Sequence, residues 1–245
     1  MNSPQLETVC EAVELVQGVG DPLLGQFCVM SLVACLAGEG HTDRPRCASA
    51  VIRALAIPVN DRMPPEARQR LKVFVPRILG TNDGLDGLRA AILCRAILEE
   101  VVPKTLFEAG RERAKGRERG FFWRLWTRRA KRVLIGEITA ARAKLLAEGE
   151  QSTPFELKER VAEAAGHLIT LCAADAPTAD DEEWYWNKAI DLLDRLCDIG
   201  ADERAAEPQA PPLMALSITL TSRLSEGDAP RKPAVAPSYL TLLFR

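Results

Sequence analysis

The chain has 245 residues, 47% of them hydrophobic, 27% charged and only 5% aromatic, with a formal net charge of −2. That is ordinary for a globular protein with a buried core and excludes a long disordered chain or a collagen-like one. Ala, Leu and Arg dominate, which favours helices over a β-sandwich.

Ser3 and Pro4 open a first helix whose apolar face is Leu6, Val9, Cys10, Val13 and Val16, and Gly18 stops it. The N-terminal run Met-Asn-Ser-Pro-Gln-Leu-Glu lacks a basic region, so no secretory signal is expected. From Leu23 to Ala37 only Gly25, Gln26 and Ser31 are not apolar. This stretch predicts a central buried helix, because it falls short of the roughly 20 residues that cross a bilayer. Thr42 or Asp43 can cap the next helix, with Pro45 in its first turn and a break at Pro58. Asn60-Asp61 reads as a turn. Pro64-Pro65-Glu66 opens a helix with the stripe Ala67, Leu71, Phe74, Val75 and Ile78, loosened at Pro76.

A fifth helix, about Leu85 to Val101, buries Ala90, Leu93, Cys94 and Ile97 and stops at Pro103. A long helical stretch follows to Glu148, weak where Gly110, Gly116 and Gly120 fall, with Leu134, Ile138, Ala141 and Leu145 in line. Thr153-Pro154-Phe155-Glu156 has the form of a capping box. The helix behind it carries Leu157, Val161, Ala164, Leu168 and Cys172. Thr178 opens the last one, with Tyr185, Trp186, Ala189, Ile190, Leu193, Leu196 and Cys197 inward. The prediction is an all-α fold, an irregular bundle of about eight helices over 1–200, with a subdivision to consider near 103–120.

Beyond residue 200 the composition changes to a linker and a Pro-rich, largely extended C-terminal tail, 201–245. Leu216, Ile218 and Leu220 alternate with polar residues, and the chain ends in an apolar run with Leu240, Leu242 and Phe244. These two segments could pair as a short β-hairpin or dock on another protein.

Seven cysteines, with no C-x-x-C pair, read as reduced buried thiols of a cytoplasmic protein, and no metal or cofactor is expected. Glu39, His41 and Asp43 form the densest set of chemically capable side chains, weak candidates for catalysis or a small-ligand site. Their bland reading is a capped loop. With only His41 and His167 in the chain, histidine-rich metal chemistry has no ligand set. His167 reads as a surface histidine, and Asp180 to Glu183 as partners of a helix dipole rather than ligands of a hard cation.

The strongest surface signal is basic and aromatic. Residues 104–132 hold eleven Lys/Arg against three acids, a net of +8. Arg111, Arg113, Arg117, Arg119, Arg124, Arg128, Arg129, Lys131 and Arg132 accompany Trp123 and Trp126 as candidates for partner or phosphate binding. Phe122, Trp123, Trp126, Ala130, Val133 and Leu134 share one helical arc, with Arg124, Arg128, Lys131 and Arg132 opposite. Residues 133–200 carry a net of −8, so the two segments can neutralise each other if their helices pack together.

Three functions are consistent with these features. The first is a non-enzymatic interaction protein, an adaptor or assembly subunit with a protein partner. The second is a nucleic-acid accessory protein binding phosphates through Arg111 to Arg132. The third is a small-ligand or metal-dependent enzyme centred on Glu39 to Asp43. A sequence pI near 5.9 disfavours a dedicated nucleic-acid binder. Membrane-surface contact ranks below protein and nucleic acid, and oligomeric state is not legible.

Overall fold

A computed structural model describes the backbone of residues 9–115 and 121–206, and the side chains of 9–111 and 126–204. All of these residues lie in one compact unit. The fold is all-α. A two-residue parallel pairing comes first, β1 (Glu14–Leu15) with β2 (Gln26–Phe27). Then come α1 (Val29–Leu36), α2 (Ala50–Arg62) and α3 (Pro65–Arg68). A 3-10 turn, Gln69–Phe74, carries α3 into α4 (Val75–Ile78). Next are α5 (Asp86–Ala96), a π turn at Ile97–Val101, α6 (Val102–Lys115) and α7 (Phe121–Glu148). The last are α8 (Phe155–Ala174), α9 (Ala179–Asp198) and α10 (Ala201–Ala206). Among the described residues no helix is long and apolar enough to cross a membrane.

Helix α8 is the hub, packed against α2, α5, α7 and α9. It buries Val161, Ala164, Leu168 and Cys172 as its period predicts. Its small residues let α2 come close. A Cβ on Gly166 would lie 2.5 Å from Pro58 Cγ and 3.0 Å from the Leu55 carbonyl oxygen.

Several predicted boundaries move, each for a tertiary reason. The first helix stops short of Glu14, because Glu14 and Val16 donate backbone hydrogen bonds to Gly25 and Phe27 in the parallel pairing. The helix in the apolar stretch begins at Val29, with Cys28 and Ser31 forming its capping box, and Leu23 and Leu24 are exposed. Its eight residues are nonetheless almost wholly buried. The next helix starts at Ala50 rather than after Asp43, because Ser49 is the cap: its hydroxyl accepts from Ile52 N–H at 3.2 Å and donates to Asp86.

Pro58 does not end α2. An internal proline costs about 3 kcal/mol, and burial of Pro58 against α8 offsets it. Asn60 is therefore helical and buried, not a turn residue. Its amide donates to the Val16 carbonyl at 2.8 Å and its oxygen accepts from Val29 N–H at 3.2 Å. Pro103 does not end the fifth helix either. The π turn just before it widens the ladder where the proline lacks a donor, and α6 continues. Thr153 makes no capping box. Its hydroxyl turns back to the Gly149 carbonyl at 2.8 Å, closing the end of α7 instead of opening α8.

Candidate partner-binding surface

The phase of α7 positions the basic, aromatic segment. Thr127, Ile138, Ala141 and Leu145 are buried, and Lys131 and Leu134 fall half-buried on the same line. Trp126 is one position out of phase, about 100° round the helix, and is 51% exposed; Val133, seven residues on, is 53% exposed. Trp126 and Val133 therefore lie outside the buried line of α7, and the aromatic arc is not wholly core. The core stripe read correctly at Leu134, Ile138, Ala141 and Leu145 would have revealed this, because extended backwards by fours and threes it lands on Lys131 and Thr127.

The cations divide by the same phase. On the inward side, Lys131 Nζ is 2.8 Å from Asp175 Oδ2, both side chains being largely buried. Lys104 of α6 pairs with Asp181 and stands 3.0 Å from Glu108 Oε1. Burial pulls the Lys104 ammonium down, but hydrogen bonds to Asp181 and Glu108 outweigh it and its net shift is upward. Arg111 reaches Asp181 at 3.9 Å and stacks over Phe107 at 5.8 Å. Acids of the 133–200 segment thus meet the inward cations. On the outward side, Arg128, Arg129 and Arg132 are exposed and have no ion pair among the described residues. The side chains of Arg113, Arg117, Arg119, Trp123 and Arg124 lie outside the described residues, as do Leu216, Ile218, Leu220, Leu240, Leu242 and Phe244 of the tail.

Behind the pair sits a buried polar cluster that sequence reading missed, because its members come from three helices. Tyr185 donates to Glu108 Oε2 at 2.7 Å, and its hydroxyl is 3.2 Å from that of Thr105. Thr105 is in turn 3.4 Å from Cys172 Sγ. Burial pushes both the Tyr185 phenol and the Cys172 thiol above their ordinary ranges. Both stay protonated at neutral pH, so neither is a ready nucleophile. Burial likewise raises the thiols of Cys28 and Cys35, that of Cys47 to about 11, and those of Cys94 and Cys197 to about 12.

Glu39, His41 and Asp43 do not converge. Glu39 accepts from the backbone N–H groups of Arg46 and Cys47, so it caps a turn. His41 Nε2 lies 3.0 Å from the Val19 carbonyl, and its ring meets Phe27 edge-on at 5.8 Å. Asp43 faces elsewhere, into a groove of about 340 Å³ between α2 and α8. His167 lines the same groove with Glu163, at 3.7 Å, and with the Arg53–Glu159 pair at 2.7 Å. That Asp43 and His167 line one groove has no signal in the sequence. Among the described residues no three His, Cys, Asp or Glu side chains are grouped to hold a metal ion.

No family model, curated protein or solved structure matches this chain.

Proposed function

We propose that this chain is an adaptor or assembly subunit that seats a protein partner on the outer face of α7. The observation that carries the reading is the pairing of an exposed apolar stripe, Trp126 and Val133 with half-buried Ala130 between them, with the exposed Arg129, about one helical turn from both Trp126 and Val133. Trp and Arg are the residues that most often dominate binding energy at protein interfaces. Arg129, which has no ion pair among the described residues, asks for an acidic partner, and the apolar stripe asks for one with an apolar patch of its own. A nucleic acid would satisfy Arg129 but not the aliphatic part of the stripe. Internal acids already engage Lys104, Arg111 and Lys131, which lowers the charge left for phosphates. The apolar end of the tail, Leu240 to Phe244, serves in this reading as a second docking segment.

The test is co-purification of partners with the intact chain and with the Trp126→Glu and Arg129→Glu variants, at two salt concentrations. Loss of a partner in both variants, with helicity and melting temperature unchanged, supports the reading. Partners retained by both variants overturn it. Binding that follows nucleic acid and falls steeply with salt overturns it in favour of the phosphate alternative.

A further inference from the structure

The loop between β1 and β2 presents two adjacent leucines to solvent. Leu23 is 67% and Leu24 56% exposed, and Val19 of the same loop is exposed as well. The backbone that carries them is tied down. Asp21 caps the 3-10 turn Pro22–Leu24, accepting from Leu23 N–H at 2.9 Å through its side chain. Its carbonyl accepts from the N–H groups of Leu24 and Gln26 at 3.0 Å. The Val19 carbonyl takes the Ser31 hydroxyl at 2.8 Å and Cys28 N–H at 3.2 Å. Gly18 N–H donates to Asp61 of α2 at 2.9 Å. Gly20 sits so close to the Gln26 carbonyl, at φ +84°, that no Cβ would fit. A loop fixed in this way has little freedom left to lose on binding, so the leucines are preorganised for contact. Their burial against an apolar surface is favourable.

Charge selects what covers them. Residues 1–43 hold six acids and no Lys or Arg. Asp21 stands just before the leucines, and exposed Glu14 lies across the pairing from Gln26, 3.4 Å from its amide nitrogen. Buried Arg68 is within range of Glu14 and Asp61, but its guanidinium donates to the Asn60 and Met63 carbonyls. An apolar tip in an acidic surround is repelled by an anionic lipid surface and suits an apolar face that carries a cation. The outer face of α7 has that character, with Trp126, Ala130 and Val133 beside the exposed Arg129. Glu137, exposed one turn beyond Val133, closes the stripe with a like charge, so the acidic loop seats at the Trp126 end. Both surfaces belong to one compact unit and both are exposed there, so within one copy they do not cover each other. We infer that the outer face of α7 receives the Leu23–Leu24 loop of a second copy of this chain. The inference rests on the docking role proposed for that face and gives its partner. Such a contact is head to tail, and it builds open chains or closed rings rather than two-fold dimers.

Sedimentation of the intact chain over a concentration series up to about 1 mM tests this, since a contact of this size belongs with weak interfaces. The expected result is a mass that rises with concentration, and less steeply at high salt. The double variant Leu23→Ser with Leu24→Ser, and separately Trp126→Glu, should each weaken self-association about tenfold or more. Leu146→Ser, at an exposed leucine of α7 off the stripe, leaves it unchanged. The deciding sample mixes the double serine variant, whose α7 face is intact, with Trp126→Glu, whose loop is intact. The mixture should form one-to-one dimers and stop there, because each partner keeps only one of the two surfaces. The proposal is overturned if the intact chain stays monomeric throughout, if the serine variant associates as well as the parent, or if the mixture forms no dimer. It is equally overturned if the leucines prove to bind lipid vesicles while the chain remains monomeric. A chain that stays monomeric yet loses a different protein in Trp126→Glu sinks this inference and leaves the docking face standing.

Discussion

Arg89 is fully buried and sets two guanidinium nitrogens against the two carboxylate oxygens of Asp83, at 2.6 Å each. Its remaining donors go to the carbonyls of Thr81, Leu196 and Ile199. Two of those carbonyls belong to the end of α9, where unpaired backbone oxygens and the negative end of the helix dipole need donors. Arg204 joins from α10, donating to Asp83 at 2.8 Å and to the Ile199 carbonyl at 2.7 Å. Arg77 adds a bond to the Asp194 carbonyl at 3.2 Å. The end of α9 is thus held by arginines from three separate segments.

Arg89→Met should cost about 3–5 kcal/mol, because it takes the two-pronged contact from the part-buried Asp83, leaving it Arg204, and frees the Thr81 and Leu196 carbonyls. Arg89→Lys should fail as well, since an ammonium cannot reproduce the two-pronged contact. Chemical denaturation measures both. A loss under about 1 kcal/mol in Arg89→Met would contradict this account of the α9 terminus.

Glu100 makes part of the stability depend on acid. Hydrogen bonds from Arg195, at 2.7 Å, and from Lys188, at 2.8 Å, hold its carboxyl down at about 2. A folded-state value below the unfolded one stabilises the protein above the unfolded value, near 4.5. That stabilisation is lost as pH falls from there towards 2. In Glu100→Gln the fall of stability between pH 5 and 2 should be shallower than in the parent. Denaturation midpoints at several pH values decide it, and parallel curves would rule out the Glu100 contribution.

Two glycines in helices should respond in opposite directions. Gly166→Ala places a methyl 2.5 Å from Pro58 Cγ, and the repacking should cost about 1–3 kcal/mol. Gly136 of α7 is exposed, and nothing lies within 4 Å of an added Cβ. Gly136→Ala should gain about 0.5–1 kcal/mol from helix propensity alone. Melting temperatures of the two variants, read against the parent, check the pair.

The Lys131–Asp175 bridge connects the basic helix to the acidic half of the chain and is largely buried. Asp175→Asn should destabilise the fold more than Arg129→Gln, whose parent side chain is exposed, because a buried cation without its counter-charge costs several kcal/mol. Equal effects of the two substitutions would show that burial does not distinguish these cations.

Local periodicity alone determined that the chain is helical and which residues of α5, α8 and α9 face inward. Ala90, Leu93, Leu168, Leu193 and their neighbours are buried as their spacing requires, since a 3.6-residue repeat is a property of the helix itself. Only the tertiary structure decided where helices continue and which way α7 turns. Pro58 and Pro103 look like stops because their cost is local, whereas the packing of α8 on α2 and the π turn before α6 that offset it are not. Which side of α7 Trp126 takes was settled by the neighbouring helices, which claim the line through Thr127 and Ile138. The polar groups were hidden for the same reason: Glu108 meets Tyr185 across two helices, and Asp43 and His167 line one groove, from segments far apart in the chain, and a sequence carries no sign of proximity at that distance.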